Sequence, residues 1–589
     1  MIKYLLKCKD CEQEFESWFS TSDEYDRLLK LKLLNCQSCE SINVEKSLMS
    51  PNLLNTKKKE NLKEIKKYKD IRKKLTDYKK FVKDNFEYVG ENFTYKARSI
   101  HYDKKKLKKG IYGSASLKDV KELREEGIET DIIPWIEDDK KLYGLNSSGP
   151  AAQDMTIKKL KAMGIDKIPP FGPLPVTVPG AVAGWTALHK RFGKKSFDEL
   201  FTNAIYYADN GFPITEVVGY YLQLSSVRYK DYPNFKTIWM PNGKTPSKGE
   251  IFKNKLLAND YRLIANSYGK DFYQGTIAEN IVKSVNSQGG YFTLKDLSEY
   301  KPEWINPVSS NYRGYDVWEL PPNGQGIAAL QILNVLENYD IKKLGFNSAE
   351  YIHLFTEAKK LAFEDRAKYY ADMSFAKVQV DYLISKEYAK KRNNLISFDK
   401  VLKSIDSNNL EDGDTIYLTV ADKFGNMVSL IQSNYRGMGS GVIPNDSGFM
   451  LQDRGEMFNL DPTHRNSLVG GKRPFHTIIP AFITKNGDPF VSFGVMGGAM
   501  QPLGHAQIVI NLIDFDMNLQ EAGDAPRFRH IGSSQPTGEK MTDGGFLIFE
   551  NGFDQNEISK IKEIGHKVVN QNEDDYMKGV FGGYQAIMI

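Results

Sequence analysis

The spacing of apolar positions changes along the chain. In NLKEIKKYKDIRKKLTDYKKFVKD, Leu62, Ile65, Tyr68, Ile71 and Leu75 recur at helical spacing, which predicts a lysine-rich amphipathic helix. From about Lys141, glycine and proline punctuation increases and helical patterns alternate with strand patterns. FDELFTNAIYYADNG predicts a helix that stops at Gly211, and SAEYIHLFTEAKKLAFEDRAKYYAD a longer one with a serine at its N-cap. Beyond Thr415 strands dominate, PFVSFGV among them. No long-period internal repeat is visible.

The stretch EDGDTIYLTVADKFGNMVSLIQSNYRGMGSG, from Glu411, reads as a turn, a strand, a tight turn and a second strand. Lys423, Phe424 and Gly425 form the loop, with Gly425 where a left-handed residue is needed. If Asp422 faces Asn426, Thr415 faces Ser433, with Cβ atoms about 5 Å apart. A hydroxyl at the first position of a strand then meets a second hydroxyl. Such a layout suggests an N-terminal nucleophile, whose base is its own α-amino group. That amine exists only after the chain is cut just before Thr415. A β-branched residue in a strand needs no such role, so the hairpin alone leaves both readings open.

GVMGGAMQPLG places Gly497 and Gly498 just after a strand, where their N–H groups can form an oxyanion hole or simply a turn. YRGMGSGVIPNDSGFMLQDRGEMF adds a glycine-rich segment suited to walling a pocket.

With 589 residues, more than one domain is expected. A net charge of +5 is only mildly basic. The lysines between Lys57 and Lys83 suit a solvated helix face better than an acidic partner. The opening MIKYLLKCKDCEQEF has too short an apolar piece for a signal peptide. The longest uncharged tract, VSFGVMGGAMQPLGHAQIVINLI, is broken by glycine, proline and glutamine, so no membrane span is expected. A cytoplasmic location is the expectation, with the periplasm as the alternative. The lone histidines, His189 and His353 among them, are expected to be ordinary helix residues.

All four cysteines, Cys8, Cys11, Cys36 and Cys39, fall in two CxxC pairs. Two such pairs can complete a structural zinc site. Reduced thiols without metal and disulfides are the alternatives. The landmarks CKDCEQEFESWFSTSDEYDRLL, CQSCESINVEKSLMSPNL, FEYVGENFTYKARSIHY and IYGSASLKDVKELREEGIETDIIPW make residues 1–138 resemble a small bacterial domain family of unknown function.

From about Leu142 onward the chain resembles the gamma-glutamyltransferase family of Ntn hydrolases. The stretches that carry the resemblance run in family order: LPVTVPGAVAGWTALHKRFGKKSFDELF, LPPNGQGIAALQILNVLE, FTEAKKLAFEDRAKYYAD, DTIYLTVADKFGNMVS, GMGSGVIPNDSGFML, GGKRPFHTIIPAFI and QEAGDAPRF. The resemblance implies an α+β fold, an αββα sandwich, behind a small zinc-ribbon-like α/β domain. The expected divisions are 1–140, 141–414 and 415–589. It implies a precursor cut between Asp414 and Thr415, with Thr415 as nucleophile, Ser433 orienting it, and Gly497 and Gly498 as oxyanion hole. Tyr435, Asp453, Glu456, His476 and Thr477 are the implied substrate-binding residues. The implied reaction moves a γ-glutamyl group from glutathione or a related amide to water or an amino acid. No catalytic cofactor, nucleic acid or membrane is implied, and the cut halves would stay together as a heterodimer.

The chain also departs from the family pattern. The family has a long segment ahead of LNSSG that includes sandwich strands, so the sandwich is expected to be incomplete here. The family also continues beyond GGYQAIMI. The arginine that clamps the substrate α-carboxylate is replaced by Ser147-Ser148-Gly149-Pro150, and the usual serine pair by His476-Thr477. Asp453 and Glu456 stand in for the acidic pattern that grips the α-amino group. Arg436, Arg454 and Arg473 are the candidate replacement cations. LQDRG and SLIQS resemble the acylase-like branch more than the glutathione-specific one. The readings left open are therefore a gamma-glutamyl enzyme, an acylase-like amidase with another acyl donor, an inactive truncated or fused relative, and a metal-binding interaction protein.

Overall fold

A computed structural model describes residues 141–403, 414–569 and 581–589, together with 2–11, 13–19, 22–30, 34–36, 39, 41–46, 74, 78, 81–82, 84–102, 109–113, 115 and 117–131. The lysine-rich helix expected across Leu62 to Leu75 lies outside them. The chain forms two compact units, Met1–Asp139 and Lys140–Ile589.

In the first unit, β1 (Ile2–Cys8) is the central strand of an antiparallel sheet, flanked by β2 (Glu14–Phe19) and β3 (Val44–Lys46). Helix α1 (Ser22–Lys30) brings Tyr25 onto Leu6 in a small core. The two cysteine pairs lie on matching turns. The Cys8 N–H donates to the Gln13 carbonyl (3.0 Å) and the Cys36 N–H to the Ser41 carbonyl (2.8 Å).

The second unit is built on a five-stranded antiparallel sheet. Its strands are β4 (Val308–Tyr312) and β5 (Tyr315–Glu319), then, after helices α2 (Gly326–Leu336) and α3 (Ala349–Tyr369), β8 (Ala481–Lys485), β9 (Asp488–Val495) and β10 (Tyr584–Met588). Between α3 and β8 the chain makes the hairpin of β6 (Asp414–Ala421) and β7 (Met427–Tyr435). Helix α4 (Gln501–Ile513) follows β9. Helix α2 is apolar nearly all round, and every residue of it is buried. It packs on β4 and β5, while α3 packs behind it and α4 lies on β9. Alternate residues of the sheet, Val317, Ile483, Val491, Phe493 and Val495, are fully enclosed in that core. The expected N-cap of α3 is present: the Tyr351 N–H donates to Ser348 Oγ at 3.2 Å. Gly211 ends its helix at φ +94°, a left-handed turn open to glycine. His353, expected as an ordinary helix residue, is fully buried on α3, with Nδ1 2.8 Å from His566 Nε2.

The hairpin ribbon lies over the opposite face of the sheet, giving a layered order of helices, sheet and second sheet. Tyr417 points inward and is 3 % exposed. Its ring occupies the space a side chain at Gly494 would need, since a Cβ there would come within 2.4 Å of it. Tyr417 Oη lies 2.7 Å from Ser429 Oγ, and Thr419 Oγ1 donates to Ser492 Oγ at 2.7 Å. The residues between point the other way: Ile416, Leu418 and Val420 are 67, 51 and 49 % exposed. Among the described residues β6 and β7 pair only with each other, so the second sheet has two strands, and on its outer face Trp185 Nε1 donates to Gln432 Oε1 at 3.3 Å.

The hairpin loop and register follow the alternation except at one place. Gly425 takes φ +85°, and Ile416 faces Gln432 as expected. The one-to-one pairing of Thr415 with Ser433 does not occur. Asp414 pairs with Tyr435, so Ser433 and Asn434 both lie opposite Thr415 in a β-bulge. The cause is local: the Tyr435 N–H donates back to Ser433 Oγ (2.8 Å), and Tyr435 adopts φ +78°. No helix among the described residues is long and apolar enough to cross a membrane.

Candidate active site

Three segments meet around the start of β6. The first is the bulge. A tyrosine at φ +78° is a strained backbone, costing on the order of 1–3 kcal/mol, and here it is held from several sides. The Asp453 N–H donates to the Asn434 carbonyl at 3.2 Å. The Asn434 amide donates to the carbonyls of Met438 (2.8 Å) and Met450 (3.2 Å).

The second segment is the glycine turn after β9. Gly497 and Gly498 take φ +109° and +57°, both left-handed. Among the described residues, no backbone carbonyl takes the N–H of either. The end of β9 is anchored just before the turn. The Val495 N–H donates to His505 Nε2 (3.2 Å), which leaves the proton on Nδ1 to bond Glu319 at 2.7 Å. The far side is anchored by Gln325, which is fully buried. Its amide N–H2 bridges two carbonyls, those of Thr477 (2.7 Å) and Gly498 (2.9 Å). Its Oε1 accepts from Arg366 Nη1 at 2.7 Å. Because a guanidinium only donates, that contact sets which way round the amide lies. Arg366 is fully buried, and burial lowers its pKa to about 9. Neither Gln325 nor Arg366 stood out in the sequence: each lies within a family-like stretch, but no spacing rule links them to Gly498.

The third segment, residues 451–458, is pinned at both ends, with Leu451 and Phe458 in a second core built around Leu174, Val178 and Ile281. Between them the Gly455 N–H donates to the Pro175 carbonyl at 2.7 Å. This brings Asp453, Arg454 and Glu456 close to Tyr435, with Arg454 Cζ 5.3 Å from its ring centroid. His476 and Thr477 enter from the strand side, and the His476 N–H donates to the Asn323 carbonyl (3.2 Å). All the expected binding residues are buried. Arg436 is committed: its Nε donates to both oxygens of Glu456, at 2.7 and 2.9 Å. Arg473 is committed too, with Nε on the Ser148 carbonyl (3.0 Å) and Nη1 on Glu303 (3.3 Å).

What remains is a set of enclosed polar atoms without a partner among the described residues: Asp453 Oδ2, Arg454 Nη1 and Nη2, His476 Nδ1 and Thr477 Oγ1. Such groups cost roughly 1–3 kcal/mol each when left unpaired, so their gathering at one place marks a polar binding pocket. Burial, with Glu456 adjacent, holds the Asp453 carboxyl well above the usual range. Burial raises Glu456 as well. Burial, with Arg454 and Arg473 nearby, lowers His476 to about 3, so its imidazole is neutral. Burial lowers Arg454 to about 10, which leaves it charged at neutral pH.

In the first unit the four cysteine sulfurs lie within 4.8 Å of one another. The distances Cys8 to Cys39 and Cys11 to Cys36 are 3.6 and 3.5 Å. These are too long for disulfides, and a tetrahedral zinc–thiolate centre sets its sulfurs about 3.8 Å apart. Cys8 and Cys36 are buried, and Asp10 ties the two turns together through Ser41 and Asn43. His353, Glu357 and His566 form a second close group. There the histidines bond each other, and Glu357 is occupied by Lys360 (2.7 Å) and the Leu402 N–H (2.9 Å).

Comparison with known proteins adds the following. Residues 116–589 match the gamma-glutamyltranspeptidase family, and residues 1–138 match a family described as protein of unknown function (DUF1178). A glutathione hydrolase-like YwrD proenzyme of Bacillus subtilis is 36 % identical over 436 residues, which is 74 % of this chain and 81 % of that one. A glutathione hydrolase proenzyme of Escherichia coli is 32 % identical over 70 % of this chain and 71 % of its own. The crystal structure of cephalosporin acylase from Bacillus halodurans superimposes with a TM-score of 0.69 at 40 % identity, covering 77 % of this chain and 81 % of that one.

Proposed function

Because the chain belongs to the gamma-glutamyltranspeptidase family, we propose that it is a self-processing amidase that cleaves γ-glutamyl or closely related amides through an acyl-enzyme on Thr415. The observation that carries this reading is the placement of Thr415. It is the second residue of β6, opposite the bulge, two residues before Tyr417. The Tyr417 ring fits over Gly494, which lies three residues before the left-handed pair Gly497-Gly498. Strand β6, which carries Thr415, and strand β9, which leads into the glycine pair, are thus packed against each other.

In maturation, the Thr415 hydroxyl adds to the Asp414 carbonyl, and the acyl group moves from nitrogen to oxygen. Water then hydrolyses the ester, leaving the Asp414 carboxylate and a free Thr415 amine. In turnover, that amine takes the hydroxyl proton as the oxygen attacks the substrate amide. The N–H groups of Gly497 and Gly498 hold the developing oxyanion. Collapse passes the proton to the leaving amine, and water or an acceptor amine releases the acyl group. Ser433 acts from the bulge to orient the attacking group, and the two halves remain joined through the core they share.

The test is mass spectrometry with N-terminal sequencing of the purified protein, alongside an amide hydrolysis assay. Fragments 1–414 and 415–589 with amine release support the reading. A folded, uncut chain without activity overturns it.

For the first unit we propose a structural zinc ion held by Cys8, Cys11, Cys36 and Cys39. Elemental analysis should find about one zinc per chain, as a single four-cysteine site requires. The double replacement Cys8→Ser with Cys36→Ser is expected to lose it and to make residues 1–139 sensitive to limited proteolysis. Full resistance to proteolysis after chelation counts against the proposal.

A further inference from the structure

The four sulfurs of the first unit differ in what can reach them. Cys39 is exposed and Cys11 half-buried, while Cys8 and Cys36 are enclosed. Close approaches run across the two turns: Cys8 Sγ lies 3.6 Å from Cys39 Sγ, and Cys11 Sγ 3.5 Å from Cys36 Sγ. Each of these pairs joins a sulfur that solvent reaches to one that it does not. We propose that the cluster is a site of oxidative modification by hydroperoxides, at which the disulfides Cys8–Cys39 and Cys11–Cys36 form and zinc is released. The release rests on the zinc reading given above; the disulfide pairing does not.

A bound zinc ion keeps its cysteines as thiolates, and the thiolate is the form that attacks a peroxide. The Cys39 sulfur attacks one peroxide oxygen. The O–O bond breaks, hydroxide leaves, and Cys39 becomes a sulfenic acid. The Cys8 thiolate then attacks that sulfur, forming the S–S bond and expelling a second hydroxide. The two sulfurs have given up two electrons, the peroxide has taken them, and both hydroxides take protons from solvent to become water. Cys11 and Cys36 repeat the sequence with a second peroxide. Neutral disulfide sulfurs no longer hold the ion.

The scaffold favours bonds across the turns. Disulfide sulfurs sit about 2.05 Å apart, so each pair has to close by about 1.5 Å. The turns already face each other. Cys8 lies opposite Val44 in the β1–β3 pairing, the Lys9 N–H donates to the Asn43 carbonyl at 2.8 Å, and Asp10 accepts from Ser41 and Asn43. The cross-turn bonds span 31 and 25 residues of sequence. They therefore tie the two turns together once the metal is gone, which bonds inside either CxxC turn do not.

The experiment titrates the full-length, zinc-loaded protein with hydrogen peroxide. A chromogenic chelator reads zinc release, and alkylation with non-reducing peptide mapping reads the thiols. We expect about one zinc released for about two peroxides consumed, the stoichiometry of two disulfides, with Cys8–Cys39 and Cys11–Cys36 as the linked peptides. Dithiothreitol with added zinc should reverse both changes. The oxidised first unit should resist limited proteolysis better than the reduced, metal-free one. In Cys8→Ser the sulfenic acid on Cys39 loses its partner, so dimedone should label Cys39 there and hardly at all in the wild type. Should that variant not fold, the wild-type peptide map decides alone. Disulfides inside a CxxC pair overturn the proposal. So do sulfinic or sulfonic acids in place of disulfides, and four thiols that survive a large excess of peroxide. A chain that holds no zinc even after zinc is added overturns the zinc reading and the release with it, and the peptide map then tests the pairing by itself.

Discussion

Thr415→Ala is expected to leave the 67.0-kDa chain in one piece and to abolish amide hydrolysis. The methyl side chain removes the atom that attacks in both maturation and turnover. It also keeps the would-be amine locked in a peptide bond, so nucleophile and base vanish together. Loss of a covalent nucleophile costs about 10⁴-fold or more in kcat, and the coupling to processing makes the loss complete in practice. Electrophoresis reports the first effect and amine release the second. Thr415→Ser retains the hydroxyl and should still be cut, more slowly or not. A Thr415→Ala chain cut at the wild-type position would show that another group breaks the bond, and the mechanism would have to be discarded. The fold should barely change, since the one-to-one register of β6 with β7 runs from Ile416 to Ala421 and does not include this residue.

Gln325→Leu is expected to lower kcat by about 10²–10³-fold with little change in KM, the size of effect seen when an oxyanion donor is lost. The reason is indirect, so Gln325 is a positioning residue. Its one amide ties the Thr477 carbonyl to the Gly498 carbonyl and takes its orientation from Arg366. A glycine pair at φ +109° and +57° has no side chains to hold it, so its N–H groups point usefully only while that carbonyl is held. Leucine keeps the volume but strands two carbonyls and one Nη in a dry core, at roughly 1–3 kcal/mol each. Thermal stability should therefore fall as well. To separate the effects, kcat is expressed per acylatable Thr415, counted from the burst of first turnover. Gln325→Glu keeps the contact to Arg366 but sets a carboxylate against two carbonyls, and should show the same kcat defect. A normal kcat per active site in both variants would remove Gln325 from the mechanism.

The outer face of the ribbon bears on stability. Ile416, Leu418 and Val420 alternate with inward residues, as a strand between two apolar layers would. Only the inner layer is met by the five-stranded sheet. The exposure of these three residues leaves an apolar row on the outer side of the ribbon.

Local rules read much of this molecule correctly. Alternation and a glycine at the third loop position give the hairpin and its register through Ile416. Serine and glycine punctuation place the N-cap of α3 and the stop at Gly211. Cysteine spacing brings four sulfurs together. The pairing of Thr415 with Ser433 was misjudged because a bulge depends on one backbone hydrogen bond and one strained tyrosine, and alternation carries no signal for either.

The chemistry proposed for the chain was written in its order of residues: a hydroxyl at a strand start, a glycine pair after another strand, paired cysteines, and the stretches shared with the family. Those features are local, and short-range sterics and hydrogen bonding are enough to express them. Which arginine is free could not be read that way. Arg436, Arg454 and Arg473 are equivalent as letters, and their difference lies in Glu456, Glu303 and the Ser148 carbonyl, two of them far away along the chain. A buried charge is defined by what folding places around it, so only the assembled pocket could single out Arg454.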